Sequence, residues 1–172
     1  MNAPLRERLS WQGGAVHDGP RRYLMMRPDV LMGALAALDD AARTALLAAW
    51  AESTRQHGGA SLQAYAQQVG GDAQALLAAT TAAAADLGWG AWTLQPQPWG
   101  LSLQVAGSPF AEGWRTAAGE PSAGPVCAPI RGMLTALAGL LPGGPLRVDE
   151  VHCAATQADG ACHCRFEARR TA

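Results

Sequence analysis

The chain has 172 residues, a formal net charge of −1 and an isoelectric point near 6.4, which fits one domain without a basic surface for nucleic acid. It contains no lysine, and this excludes Schiff-base, P-loop and kinase-type lysine chemistry. No apolar run approaches the roughly 20 residues that span a bilayer, and Met1–Trp11 carries charges where a signal peptide needs an apolar core. We therefore expect a cytoplasmic protein that binds neither nucleic acid nor membrane, and whose four cysteines are thiols or metal ligands.

The first half of the sequence predicts a hairpin followed by helices. Residues 1–12 are predicted to be a loose N-terminal arm, and Asp18-Gly19-Pro20 marks a turn between two short strands. Pro28 stands at a position where proline can open a helix. A second helix is expected to end before Gly58-Gly59, because glycine is unfavourable inside a helix. A shorter helix over 61–69 and a long alanine-rich helix follow.

The second half predicts two hairpins with a helix between them. Apolar and polar residues alternate over 99–105, as in a half-buried strand. The helical period returns over 127–141, and 146–153 and 162–169 are predicted as strands. Strands and helices occur in blocks, so the predicted class is α+β with a mostly antiparallel sheet, in one ligand-binding domain covering 13–172.

Side chains that can bind metals are concentrated near the C-terminus. They are Cys127 at the start of a helix, then Glu150, His152 and Cys153, then Cys162, His163 and Cys164. A helix N-terminus favours the thiolate form that metals need. No zinc-finger spacing is present, so buried thiols are the alternative. Alternate residues of a strand face opposite sides, so Glu150 and Cys153 can meet at one ion only if the strand ends or bulges between them.

These residues resemble a known motif. The run Glu150-x-x-Cys153, Asp159-Gly160 and Cys164-Arg165-Phe166 resembles the C-terminal motif of the 4-vinyl reductase domain family, and Cys127 and Gly132 also fit the family's layout. The resemblance is most specific over about 125–168 and is architectural over 15–120. It departs from the family in a longer gap between the second and third of these cysteines, in the order of the turn residues, and in an additional thiol.

The resemblance implies a fold, a metal site and a class of ligand. The family is α+β, often homodimeric, with an apolar pocket, and it includes sensor domains for aromatic hydrocarbons and proteins of bacteriochlorophyll synthesis. Carried over by position, the metal ligands are Cys127, Glu150, Cys153 and Cys164, around a zinc ion. Three thiolates and a carboxylate form a closed set, which indicates a structural role. The departures leave Cys162, His152 and His163 as alternate ligands. By resemblance, a homodimer would form through the N-terminal hairpin.

Large aromatic side chains cluster around the central hairpin. The predicted ligand-binding residues are Met25, Met26, Trp89, Trp92, Trp99, Phe110 and Trp114. Ligand pockets are concave and lined by apolar and aromatic groups, and methionine adapts to varied shapes. Core packing is the alternative for any single tryptophan, but the cluster in an alanine-rich chain favours a flat aromatic or tetrapyrrole ligand. His17, His57 and Tyr65 are expected at the surface, where they could add a polar contact.

The motifs of common enzymes are missing from the sequence. There is no nucleophile elbow, H-E-x-x-H motif or glycine-rich phosphate loop, and no nucleotide fingerprint for a hydride donor. We therefore expect a domain that binds or senses an apolar small molecule and is not itself a catalyst. The alternatives are an auxiliary protein of tetrapyrrole synthesis that presents substrate to a partner enzyme, and a metal-stabilised interaction domain without ligand. A transcriptional role would require a partner regulator.

Overall fold

The computed structural model describes residues 4–143, 146–158 and 162–171. Within these ranges helices alternate with two antiparallel sheets, which confirms the predicted α+β class. The predicted turn at Asp159-Gly160 lies outside the described residues.

The N-terminal segment forms a small sheet. Its elements are α1 (Leu5–Arg8), β1 (Ser10–Gln12), β2 (Ala15–Asp18) and β3 (Arg21–Tyr23). Strand β1 pairs antiparallel with β2, and β2 with β3. Residues 5–8 and 10–12 are therefore a helical turn and a paired strand, and not the loose arm that the sequence predicts. Gly19 has a φ of 58°, the left-handed region that glycine adopts without steric cost, so the predicted β2–β3 turn is formed.

Three helices follow this sheet. They are α2 (Pro28–Ala36), α3 (Asp40–Gln68) and α4 (Ala73–Asp86). Pro28 occupies the first turn of α2, as predicted. The side chain of Asp39 caps α3 by accepting a hydrogen bond from the amide of Ala42, and Asp72 caps α4 in the same way.

The predicted end of the helix before Gly58-Gly59 is wrong, because α3 continues through both glycines to Gln68. Each glycine costs up to about 1 kcal/mol of helix propensity relative to alanine. A Cβ at Gly58 would lie 2.7 Å from the Met133 Cε, and a Cβ at Gly59 would lie 3.4 Å from the Ala136 Cβ. Both neighbours belong to α6 (Ala128–Ala138). The glycines therefore allow α6 to pack closely on α3, and tertiary packing overrides the local preference.

The larger sheet carries the core. Its strands are β4 (Ala91–Gln97), β5 (Gly100–Ala106), β6 (Leu146–His152) and β7 (His163–Arg170), in the order β4-β5-β7-β6. The alternation in β5 is as predicted: Leu101, Leu103 and Val105 are buried. Opposite them in β7 lie Ala168, Phe166 and Cys164, which are also buried. The helix α5 (Pro109–Ala118) follows β5, and α6 packs against β6 and β7.

No helix in the described part of the chain is long and apolar enough to cross a lipid bilayer.

Candidate metal and ligand sites

Four of the predicted metal ligands meet in one cluster. The Sγ atoms of Cys127, Cys153 and Cys164 and a carboxylate oxygen of Glu150 all lie within 4.8 Å of one another. The Sγ of Cys127 lies 4.0 Å from that of Cys153 and 3.6 Å from that of Cys164. All three cysteines are buried. We call these four residues the cysteine–glutamate cluster.

The backbone around β6 explains how residues of opposite strand parity meet. The pairing of β6 with β7 shifts register between Glu150 and His152, and β6 ends at His152. Cys153 then caps a short 3₁₀ helix at Ala154–Thr156. The strand therefore both bulges and ends between Glu150 and Cys153, which is the condition that the sequence set for a shared ion.

The two long-range members of the cluster come from α6 and β7. Cys127 is the N-cap residue of α6, where the exposed amides of the first turn favour a thiolate. Its own amide donates to Glu150 Oε2 at 3.2 Å. Cys164 lies in β7 opposite Val105 of the core strand. The cluster thus joins α6, β6 and β7 at one point.

The protonation of the cluster shows a site short of positive charge. Burial raises the pKa of Glu150 to about 9. Hydrogen bonds with the thiols of Cys153 and Cys164 raise the pKa of Cys127 well above its ordinary value, and burial adds to this. The pKa of Cys164 is lowered to about 4 by hydrogen bonds from the other two thiols and from the Ala154 amide. The protein alone therefore carries charge on one sulfur, whereas a bound cation would allow all four groups to ionise.

One polar atom of the cluster has no partner. Among the described residues, the buried side-chain oxygens and nitrogens without a hydrogen bond are Glu150 Oε1 and His152 Nε2. A buried carboxylate oxygen without a partner is unfavourable, and it lies among three sulfur atoms. The cysteine–glutamate cluster could therefore hold a metal ion.

The alternate ligands lie outside the cluster. Cys162 is exposed and precedes β7. His152 and His163 stack on each other with ring centroids 5.1 Å apart. The structure thus places Cys164, and not Cys162, among the three buried thiols.

Two hydrogen-bond donors surround the sulfurs. Ser108 is 2% exposed, and its Oγ lies 3.2 Å from the Cys127 Sγ. The Ala154 amide donates to the Cys164 Sγ at 3.3 Å. Such donors orient thiolate ligands and stabilise their charge. Sequence reasoning missed Ser108, whose only visible signal is its position before Pro109 at a helix start.

A separate cavity lies between α3, α4 and the start of β4, which we call the α3–α4 cavity. Its volume is about 570 Å³, and three of its lining residues are Trp50, Trp89 and Trp92. This size and aromatic lining suit a small organic molecule. Trp92 is held in place because its Nε1 donates to the Trp89 carbonyl at 3.0 Å.

A second cavity, of about 490 Å³, adjoins the first beneath the N-terminal sheet. Met25, Met26 and Phe110 line it, and Trp50 and Trp89 contribute to both cavities. The Phe110 ring makes edge-to-face contacts with Trp50 and Trp89, with centroids 5.7 and 5.6 Å apart. Five of the seven predicted ligand-binding residues therefore surround these two spaces.

The other two predicted residues lie elsewhere. Trp99 lies under the Arg169 guanidinium, 4.4 Å from the ring centroid. Trp114 is 4% exposed, and its Nε1 donates to the Glu120 carbonyl at 3.1 Å. Neither residue lines the α3–α4 cavity.

Sequence reasoning missed the contribution of α3 to the cavity. The sequence places Trp50 in the apolar stripe of that helix, and it predicts His57 and Tyr65 at the surface. All three line the α3–α4 cavity. The spacing of Trp50, His57 and Tyr65 is close to two helical turns in each step, which places them on one face. That periodicity was the available signal.

Comparison with known proteins identifies the class. The family model of the vinyl-4 reductase domain matches residues 102–170, a segment that runs from β5 to the end of β7 and includes the whole cysteine–glutamate cluster. The chain carries a domain of this type, as the 4-vinyl reductase resemblance implied. No curated protein sequence matches the chain.

A solved structure extends the likeness to nearly the whole chain. The crystal structure of the phenol-responsive sensory domain of the transcription activator PoxR with phenol superposes with a TM-score of 0.78 at 17% identity. The alignment covers 96% of this chain and 86% of the other. The chain therefore has the fold of an aromatic-responsive sensory domain.

Proposed function

We propose that this protein binds a small aromatic molecule in the α3–α4 cavity and acts as a non-catalytic sensing domain. The observation that carries the proposal is the cavity of about 570 Å³ with three tryptophans in its wall. The sensory domain of PoxR, which has the same fold, is described as phenol-responsive. Edge and face contacts with tryptophan would hold a flat ring without requiring a charge.

Calorimetric titration with phenol tests the cavity. Ala83 lines it, whereas the neighbouring Ala82 is exposed and does not. We expect Ala83→Phe to fill the space and abolish phenol binding, and the matched control Ala82→Phe to retain it. Equal binding by both variants would place the ligand elsewhere, and a protein that binds no aromatic compound would favour the interaction-domain alternative. A tetrapyrrole role would instead show as a coloured pigment that co-purifies with the protein.

We further propose that the cysteine–glutamate cluster holds one structural zinc ion. Tetrahedral zinc with bonds of about 2.3 Å separates its sulfur ligands by about 3.8 Å, close to the sulfur distances of 4.0 and 3.6 Å in the cluster. Thiolates favour zinc among the common divalent ions. Bound there, zinc would supply the positive charge for the thiolates and tie α6 to the last two strands. Four protein ligands leave no open position for catalysis.

Elemental mass spectrometry on protein purified without an affinity-metal step tests the zinc site. We expect about one zinc per chain, lost in Cys153→Ser and retained in Cys162→Ser. The second substitution is the matched control because Cys162 is exposed and outside the cluster. Zinc content that falls equally in both variants, or that is absent from the wild type, would contradict the site.

A homodimer through the N-terminal hairpin is the last part of the proposal. Leu24, Met25 and Trp11 are 80%, 76% and 65% exposed, and such apolar side chains grouped on one surface favour association. Light scattering on the wild type and on Leu24→Glu measures the mass directly. A monomeric wild type would remove this part without affecting the cavity or the zinc site.

A further inference from the structure

The mouth of the α3–α4 cavity carries positive charge. Arg21 and Arg22 of β3 and His57 of α3 line it, and no aspartate or glutamate is among its described lining residues. Both arginines are exposed. A cavity built only for a hydrocarbon would need no such groups, because burying an apolar ligand depends on contact area and not on charge.

The nearest acidic residue is already paired. Asp18 lies opposite Arg21 in the sheet register, but its carboxylate accepts two hydrogen bonds from Arg8, at 3.1 and 3.0 Å. In the described part of the chain, neither Arg21 nor Arg22 takes part in an ion pair. Their guanidinium groups remain available to an anion from solution.

The cavity is therefore polar at one end and aromatic at the other. Beyond the arginines, Ser53, Ser61 and Tyr65 add hydroxyl groups to the lining, and Trp50, Trp89 and Trp92 form the aromatic wall. Arginine binds carboxylates through paired N–H donors, which fixes both position and orientation.

We propose that the ligand of the α3–α4 cavity is an aromatic carboxylate, with its ring among the tryptophans and its carboxylate at Arg21 and Arg22. This inference rests on the proposed function, since it names the chemical class of the molecule bound in the same cavity. It predicts a ligand that is negatively charged at neutral pH and not a neutral hydrocarbon.

Calorimetry with benzoate and benzamide tests the inference. The two probes have nearly the same shape, but only benzoate is charged. We expect the wild type to bind benzoate at least about tenfold more tightly, since one charge-assisted contact is worth roughly 1.4 kcal/mol. Because the arginines are exposed, that preference should shrink as salt is raised from low to high concentration.

Substitution of the arginines localises the effect. In the double variant Arg21→Gln/Arg22→Gln, benzoate affinity should fall to that of benzamide, while benzamide affinity stays unchanged. Arg147→Gln is the matched control, because Arg147 is exposed in β6 and does not line the cavity. Thermal unfolding of each variant verifies that it is folded.

The outcomes separate the two proposals. Equal binding of benzoate and benzamide by the wild type, or tighter binding of benzamide, would overturn the carboxylate inference and leave the aromatic cavity intact. A benzoate preference that survives the double substitution would also overturn it. Failure of benzoate, benzamide and phenol alike to bind would overturn the proposed function itself.

Discussion

Gly132 in α6 makes the closest helix contact in the fold, and replacing it with alanine is expected to destabilise the protein. A Cβ at this position would lie 2.1 Å from the backbone oxygen of Ala51 in α3 and 2.9 Å from its carbonyl carbon. Ordinary contact requires more than about 3 Å, so α3 and α6 would have to separate by about 1 Å. A backbone atom cannot turn aside as a flexible side chain can.

The size of the effect follows from two opposing terms. Overpacking a well-filled contact typically costs about 1–3 kcal/mol, and the upper part of that range applies because the obstacle is backbone. Alanine in place of glycine inside a helix returns up to about 1 kcal/mol. We therefore expect Gly132→Ala to lose about 2 kcal/mol, or roughly 4–8 °C in melting temperature for a domain of this size.

Gly59 on the facing helix supplies a matched control. Its Cβ would meet only the Ala136 Cβ at 3.4 Å, so Gly59→Ala should leave stability unchanged or raise it by up to about 1 kcal/mol. Urea unfolding of both variants measures the difference. A Gly132→Ala protein as stable as Gly59→Ala would refute the close approach of α6 to α3, and with it the placement of Cys127 next to the strands.

Three further changes test other parts of the structure. Ser108→Ala should weaken zinc binding about 10- to 100-fold in a chelator competition, because it removes the donor to Cys127, and Ser108→Thr should restore it; unchanged affinity in the alanine variant would exclude that role. Arg8 holds the pKa of the Asp18 carboxyl below its ordinary value, so the pair stabilises the fold above about pH 4 and the contribution is lost as pH falls through the lowered pKa. Asp18→Asn should therefore cost about 1 kcal/mol at pH 7 and nothing in strong acid, and a cost that persists there would show a different origin. Leu103→Ala, at a fully buried position, should cost about 2–5 kcal/mol in denaturant unfolding; a loss below about 1 kcal/mol would contradict its central place in the core.

The metal ligands could be predicted because their pattern is mostly local. Glu150, Cys153 and Cys164 lie on neighbouring strands of one hairpin, so residue type, strand parity and resemblance to a motif were sufficient to bring them together. Parity even specified the irregularity that the register shift between Glu150 and His152 supplies. Cys127 was found only through the family's layout, because a contact with a residue 26 positions away leaves no periodic trace.

The cavity could be predicted only in part, because its walls come from segments that are distant in sequence. Trp89 and Trp92 were found from their type and proximity. Trp50 lines the same cavity from α3, and nothing in the period of α3 says which surface its apolar stripe faces. Trp99 follows an alternating strand pattern, yet Arg169 covers it. Alternation assigns a residue to one face of a sheet, but the neighbours on that face depend on how the remaining chain packs.

The two sites are joined by the first turn of α5. Ser108 contacts the Cys127 thiol and also caps α5 by accepting from the Ala111 amide. Phe110, two residues further along, packs edge-on against Trp89 of the cavity wall. Because Ser108 and Phe110 belong to the same rigid turn, a shift of Cys127 must move the ring that supports the cavity, and a ligand that displaces Trp89 must act back on the cluster. Coupling between two sites is reciprocal, so in this fold a metal with no open coordination position still influences which molecules the cavity accepts.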